Sequence, residues 1–253
     1  MKLFLLLSFA ILLSPLVGPV VQTQSVYTTA NFLNISTSAN GNGWGEISSS
    51  MISNSTTAFI QNPAQLGAQS SENHVAFEFS LFTKGRCSSA SAGVNLARDF
   101  DLTIPVSFGI GYSRYSLDDG ATSIGLPGGV PSQRATDEAE IFSIGVGMDY
   151  WGTLALGINL KDVISNSFPD SRTRFTAIDV GMLLVVPIAD LVSRVRGKSI
   201  VVLGDLSPLI NISAGYAHRN HADEVTYLRG SYRLPREVQL GLGVELGFTT
   251  VPF

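Results

Sequence analysis

The residues with the most evident chemical potential lie close together: His218-Arg219-Asn220-His221, with Asp223 and Glu224 just behind. A zinc-type centre wants three or four His, Cys, Asp or Glu ligands in a defined geometry, and this spacing matches no such pattern, so the run reads as a polar loop. His74 stands alone ahead of the first extended segment. Hydrolysis through a nucleophile needs a Ser, a His and an acid brought together, and no extended segment carries that arrangement. Cys87 is the single cysteine; it has no disulfide partner and no metal-ligand spacing around it, and reads as an inert small residue. No catalytic, cofactor-binding or metal-ligating residue is therefore assigned, and the chain is read as not an enzyme.

A second set of polar residues recurs at alternate positions: Glu78, Asn95, Asp149, Asn159, Lys161, Asp179, Asn211 and Glu245. Side chains of a strand point to opposite faces with period two, so these eight are expected on one face, opposite the large apolar residues. They would solvate a lumen and pair with one another or with a filler. A solute path would use the same groups.

The elements that carry them are extended. Val75, Phe77, Phe79 and Leu81 alternate with Ala76, Glu78 and Ser80, and Ile104 to Tyr112, Phe142 to Tyr150, Leu154 to Leu160, Ile178 to Val186, Ile210 to Tyr216 and Val238 to Phe248 repeat the pattern. With Ala92 to Leu96 this makes about eight strands. Pro105 lacks a ladder donor and is expected near a strand start. Segments 83–86, 116–137, 166–172 and 217–235 read as turns or loops on one side. The Arg98 to Asp101 and Trp151-Gly152 turns fall on the other, together with 187–206, where a short helix is expected over Ile188 to Val195. Long strands with one large apolar face and one small or polar face mark an antiparallel transmembrane β-barrel. A soluble β-sandwich also alternates, because its inner faces pack together.

Composition points the same way. The 253 residues carry a net charge of −4, only 14 % charged residues and 25 glycines, where soluble domains average roughly 25 % charged. No basic tract supports nucleic-acid binding. Lys2 followed by the apolar run Leu3 to Leu13 reads as a secretory signal over residues 1–25, too short for a membrane helix of about 20 residues.

Between the signal and the first strand lies Asn31 to Gly67, rich in Gly, Ser, Asn and Thr but studded with Ile35, Trp44, Ile47, Met51, Ile52 and Phe59. Glycines 41, 43 and 45 allow close backbone approach, and Pro63 is expected to stop any helix. The segment reads as a compact filler. Asn31-Phe32-Leu33, Gly43-x-Gly45-Glu46, Ala58-Phe59 and Asn62-Pro63-Ala64-x-Leu66-Gly67 resemble the N-terminal region of the PorV/PorQ family, outer-membrane barrels related to FadL-type transporters. That resemblance implies a plug over 26–73 and a barrel over 74–253 that lacks the family's last strands. It further implies the outer membrane of a Gram-negative bacterium, contact with outer-membrane lipid, no cofactor, and work in or beside type IX protein secretion with secretion-system components as partners. A FadL-like channel for small hydrophobic compounds and a soluble exported β-sandwich binding module are the alternatives.

Overall fold

A computed structural model describes residues 30–34, 49–53, 55–82, 85–96, 100, 105–122, 133–168, 171–198, 206–227 and 230–250. Residues 1–25, expected as a secretory signal, the turn expected at Arg98 to Asp101 (Phe100 excepted), glycines 41, 43 and 45, Ile35, Trp44 and Ile47 lie outside the described residues.

The described residues are mostly antiparallel β. A 3-10 turn at Asn31–Asn34 and two short helices, α1 (Ala58–Gln61) and α2 (Ala64–Gln69), precede the strands. Then come β1 (His74–Phe82), β2 (Gly85–Asn95), β3 (Val106–Thr122), β4 (Gln133–Asp149), β5 (Thr153–Phe168), β6 (Ser171–Pro187), helix α3 (Ile188–Arg196), β7 (Leu206–His221), the small hairpin β8 (Val225–Tyr227) and β9 (Gly230–Tyr232), and β10 (Glu237–Thr250). Eight strands form one sheet in the order β1-β2-β3-β4-β5-β6-β7-β10. The six residues of α2 touch β2, β3, β4, β5 and β6; a sheet reaches one short helix from five strands only by curling around it.

Three expectations change. The described parts of segments 116–137 and 166–172 are strand: Leu117 pairs with Asp137, Ala121 with Arg134 and Phe168 with Ser171. Segment 217–235 opens with the end of β7 and contains β8 and β9. Gly, Asp and Ser density imitates a loop there because the apolar alternation has ended, while the backbone ladder continues. Pro63 does stop α1 as expected: the helix ends at Gln61 and Asn62 is extended (φ −139°, ψ 106°), while Pro63 itself stands as the N-cap of α2. The pyrrolidine ring is tolerated at a helix start, where no intrahelical N–H bond is lost. Pro105 directly precedes β3 as expected, and its carbonyl accepts from the Asp149 N–H at 2.9 Å.

The long strands carry two opposite patterns end to end. In one half the outward residues are apolar and in contact with solvent: Phe108, Ile110 and Tyr112 on β3, Phe142 to Met148 on β4, and Leu156 to Leu160 on β5. Register aligns Tyr112, Phe142, Leu160 and Ile178 in one row across four strands. The next outward row is Arg114, Glu140, Asp162 and Thr176. Arg114 pairs with Glu138 at 2.9 Å and Arg174 forks onto Asp162. Beyond that boundary the inward residues become the apolar ones: Tyr115, Leu117, Ile141 and Val163 are buried with Phe32, Leu33 and Phe59. Phe32 stacks on Tyr115 with ring centres 5.5 Å apart.

Candidate functional site

The concave face of the sheet is the one place where the sequence's polar residues converge, and the N-terminal segment is pressed onto it. Glycine makes that approach possible. A Cβ on Gly157 would overlap the Pro63 carbonyl, and one on Gly181 would overlap the Asn62 side chain. The Asn62-Pro63-Ala64 turn therefore sits directly on the backbones of β5 and β6.

Asn62 is fully buried and ties three pieces together. Its Nδ2 donates to the Ser49 carbonyl at 2.7 Å and to the Met182 carbonyl of β6 at 3.3 Å, while its Oδ1 accepts from the Ala64 N–H at 3.1 Å. Gln65 donates to the Met51 carbonyl at 2.6 Å, and its Oε1 accepts from the Ser53 N–H at 3.2 Å. Segment 49–53 belongs to no strand, so these side-chain amides supply partners for backbone groups that no sheet ladder pairs.

Deeper along β5, β6 and β7 lies a lattice centred on an ion pair. Lys161 Nζ stands 2.7 Å from Asp179 Oδ2, with both side chains almost wholly withdrawn from solvent. Asn159, directly opposite Asp179 in the ladder, donates to it at 3.0 Å and to the Phe59 carbonyl at 2.9 Å, and accepts from Ser143 at 2.7 Å. Lys161 donates to Asn220 Oδ1 at 2.8 Å, and the Asn220 N–H donates to Asp179 Oδ1 at 2.8 Å. A buried charge is tolerable only when paired and hydrogen-bonded, and both charges here are.

Asn220 reaches this lattice through a β-bulge. The β6–β7 register shifts between Ile178 and Val180, and Asn220 takes a left-handed φ of 56°. An extra residue on one strand re-aims side chains, and here both Arg219 and Asn220 turn inward. Arg219 donates to the Leu33 carbonyl at 2.8 Å and pairs with Glu237 at 3.1 Å; Asn220 donates to Asn34 Oδ1 at 2.9 Å. The two ends of the N-terminal segment, near residues 33 and 59, are thus fastened to one lattice.

Of the eight polar residues read on the inward face, Asn159, Lys161 and Asp179 come together. Glu78 stands apart on β1 and accepts from Ser55 at 2.7 Å and Thr56 at 3.1 Å, again a bond to the N-terminal segment. Asn211 donates to Glu245 at 2.8 Å; Asn95 donates to the Ser71 carbonyl at 2.7 Å, and Asp149 accepts from Thr153 at the β4–β5 turn. Arg219 and Asn220 were read as external loop. A bulge leaves no periodic mark in a sequence, so nothing there distinguished them. His218 and His221 flank them with ring centres 5.3 Å apart, and Cys87 is buried beside Ser113 at 3.4 Å.

A separate apolar groove of about 440 Å³ lies on the outward face, walled by Val75 and Phe77 on one side and by Ile110, Tyr112, Phe142 and Leu160 on the other, over the small residues Ala90 and Ala92. No protein-family model matches the chain, and no curated protein matches it. The class that the described residues define is an antiparallel β protein whose eight-stranded sheet, with a small separate hairpin beside it, curls around its own N-terminal segment.

Proposed function

We propose that the chain is an outer-membrane β-barrel protein of the PorV/PorQ type, non-enzymatic, with residues 30–70 as its plug, working in protein secretion or as an accessory to it. One observation carries this reading: the faces of the sheet are inverted relative to a protein in water. Lys161, Asp179, Asn159 and Asn220 are buried, while Phe77 is 80 % exposed and Leu242 82 %. A soluble β-sandwich hides its apolar faces against each other; a membrane barrel turns them to lipid.

The limits of the apolar band fit the same reading. Tyr112 and Phe142 meet at 5.0 Å just below the charged row, and Tyr150 and Trp151 meet edge-on at 5.4 Å at the far end. Aromatic girdles mark both interfaces of such barrels. From Phe142 to Tyr150 the strand covers about 27 Å at ~3.4 Å per residue, or about 20 Å once tilted by ~40°. Asn62, Pro63, Leu66 and Gly67, on which the resemblance rests, are among the residues seated on sheet glycines, together with Ser49, Ser50, Phe59 and Ser70. Lipid leaves no backbone group unpaired, so the edges of β1 and β10, which pair with no further strand among the described residues, would be closed in the membrane by each other or by further strands.

A chain lacking residues 41–55 tests the plug. The strands hold their own ladder, so the variant should insert, and it should leak small solutes from loaded vesicles faster than the parent. Insertion with parental leakage would overturn the plug.

A further inference from the structure

The helix α3 belongs to neither the barrel wall nor the plug. It begins directly at Pro187, the last residue of β6, and ends at Gly197 in the left-handed conformation with φ 65°. Nine residues span about 13 Å. Arg194, in its last turn, donates back to the Tyr150 carbonyl at 3.1 Å, in the β4–β5 turn. Held at its start by β6 and near its end by that turn, the helix runs along the rim of the sheet at the level of Tyr150 and Trp151.

Its residues sort onto two faces. Ile188, Leu191, Val192 and Val195 recur at the spacing of one helical stripe, and Val195 is 82 % exposed. Arg194, Arg196 and Lys198 are exposed beside them, against a single acidic residue, Asp190. An apolar stripe edged by cations, continuous with the aromatic end of an apolar band, is the composition of a helix lying in a lipid interface.

We infer that α3 is an interfacial anchor, with its stripe inserted at the headgroup boundary and Arg196 and Lys198 binding anionic phospholipid headgroups. The inference rests on the membrane reading of the sheet. Basic residues near an anionic surface each favour the bound state by about fivefold.

The test uses the full chain, with Cys87→Ser as background, refolded into phosphatidylcholine vesicles with and without phosphatidylglycerol. Val195→Cys and, separately, Val146→Cys carry an environment-sensitive fluorophore, quenched by lipids brominated near the carbonyls or deep in the acyl chain. The Val195 label should be quenched by the shallow bromines and the Val146 label by the deep ones. Arg196→Gln with Lys198→Gln should weaken the Val195 quenching only where phosphatidylglycerol is present. Deep quenching at Val146 with none at Val195 overturns the anchor and leaves the barrel standing. An Arg196/Lys198 effect equal in both vesicle types overturns the anionic-lipid preference. Absence of quenching at both labels overturns the membrane reading itself, and the anchor with it.

Discussion

Asp179→Ala should destabilise the folded protein by about 3–5 kcal/mol, the cost of breaking a buried pair from one side. Lys161 Nζ would keep only Asn220 as partner, and Asn159 and the Asn220 N–H would each lose an acceptor. Asp179→Asn keeps only one of the two acceptor oxygens, so one of the two amide donors stays satisfied while the new NH2 faces the other donor or Lys161; its cost should stay in the same range. Lys161→Met combined with Asp179→Leu should recover much of the loss, because apolar pairs of similar volume often replace buried ion pairs at little cost. Urea unfolding in detergent micelles measures all three. A loss under about 1 kcal/mol, the range of solvent-exposed pairs, would mean that water reaches the lattice and that it does not hold the N-terminal segment.

Val146→Arg is the second large effect. Val146 lies midway along the apolar band of β4, 45 % exposed, in register with Phe108 and Leu156. If lipid surrounds it, arginine there should cost about 2–4 kcal/mol. In water the same change at an exposed position should fall within about 0.5 kcal/mol of neutral. Gly247→Ser is the control on the opposite face, since a Cβ there meets only the Leu209 side chain at 3.7 Å. Gly243 would be a poor control: a Cβ there comes within 2.8 Å of Met51. Refolding yields into vesicles separate the two cases, and equal tolerance of Val146→Arg and Gly247→Ser would reverse the assigned faces.

Much of this is legible in the sequence. Alternation from Val75 to Phe248 marked the eight main strands, because an apolar face and a small polar face leave opposite residues at odd and even positions. Ile188 to Val195 was likewise readable as a helix. The flip of pattern at the Arg114–Glu140–Asp162 row was not read, although its signal is present: charges occupy the positions where the apolar series would continue. What looked like loop beyond it is strand whose outward face meets water. The lattice was half legible. Asn159, Lys161 and Asp179 follow from parity alone, but Arg219 and Asn220 enter through a bulge, and the carbonyls of Leu33 and Phe59 enter through tertiary contact. Neither leaves a trace in residue order.

The most direct test of the central claim is where the full chain resides and how it migrates. Expressed with residues 1–25 in place in a Gram-negative host, it should sediment with the outer membrane and resist carbonate extraction. It should also run faster on a gel unboiled than boiled, as a closed barrel that stays folded in detergent does. Recovery in the soluble periplasmic fraction, with one mobility before and after boiling, would contradict the account.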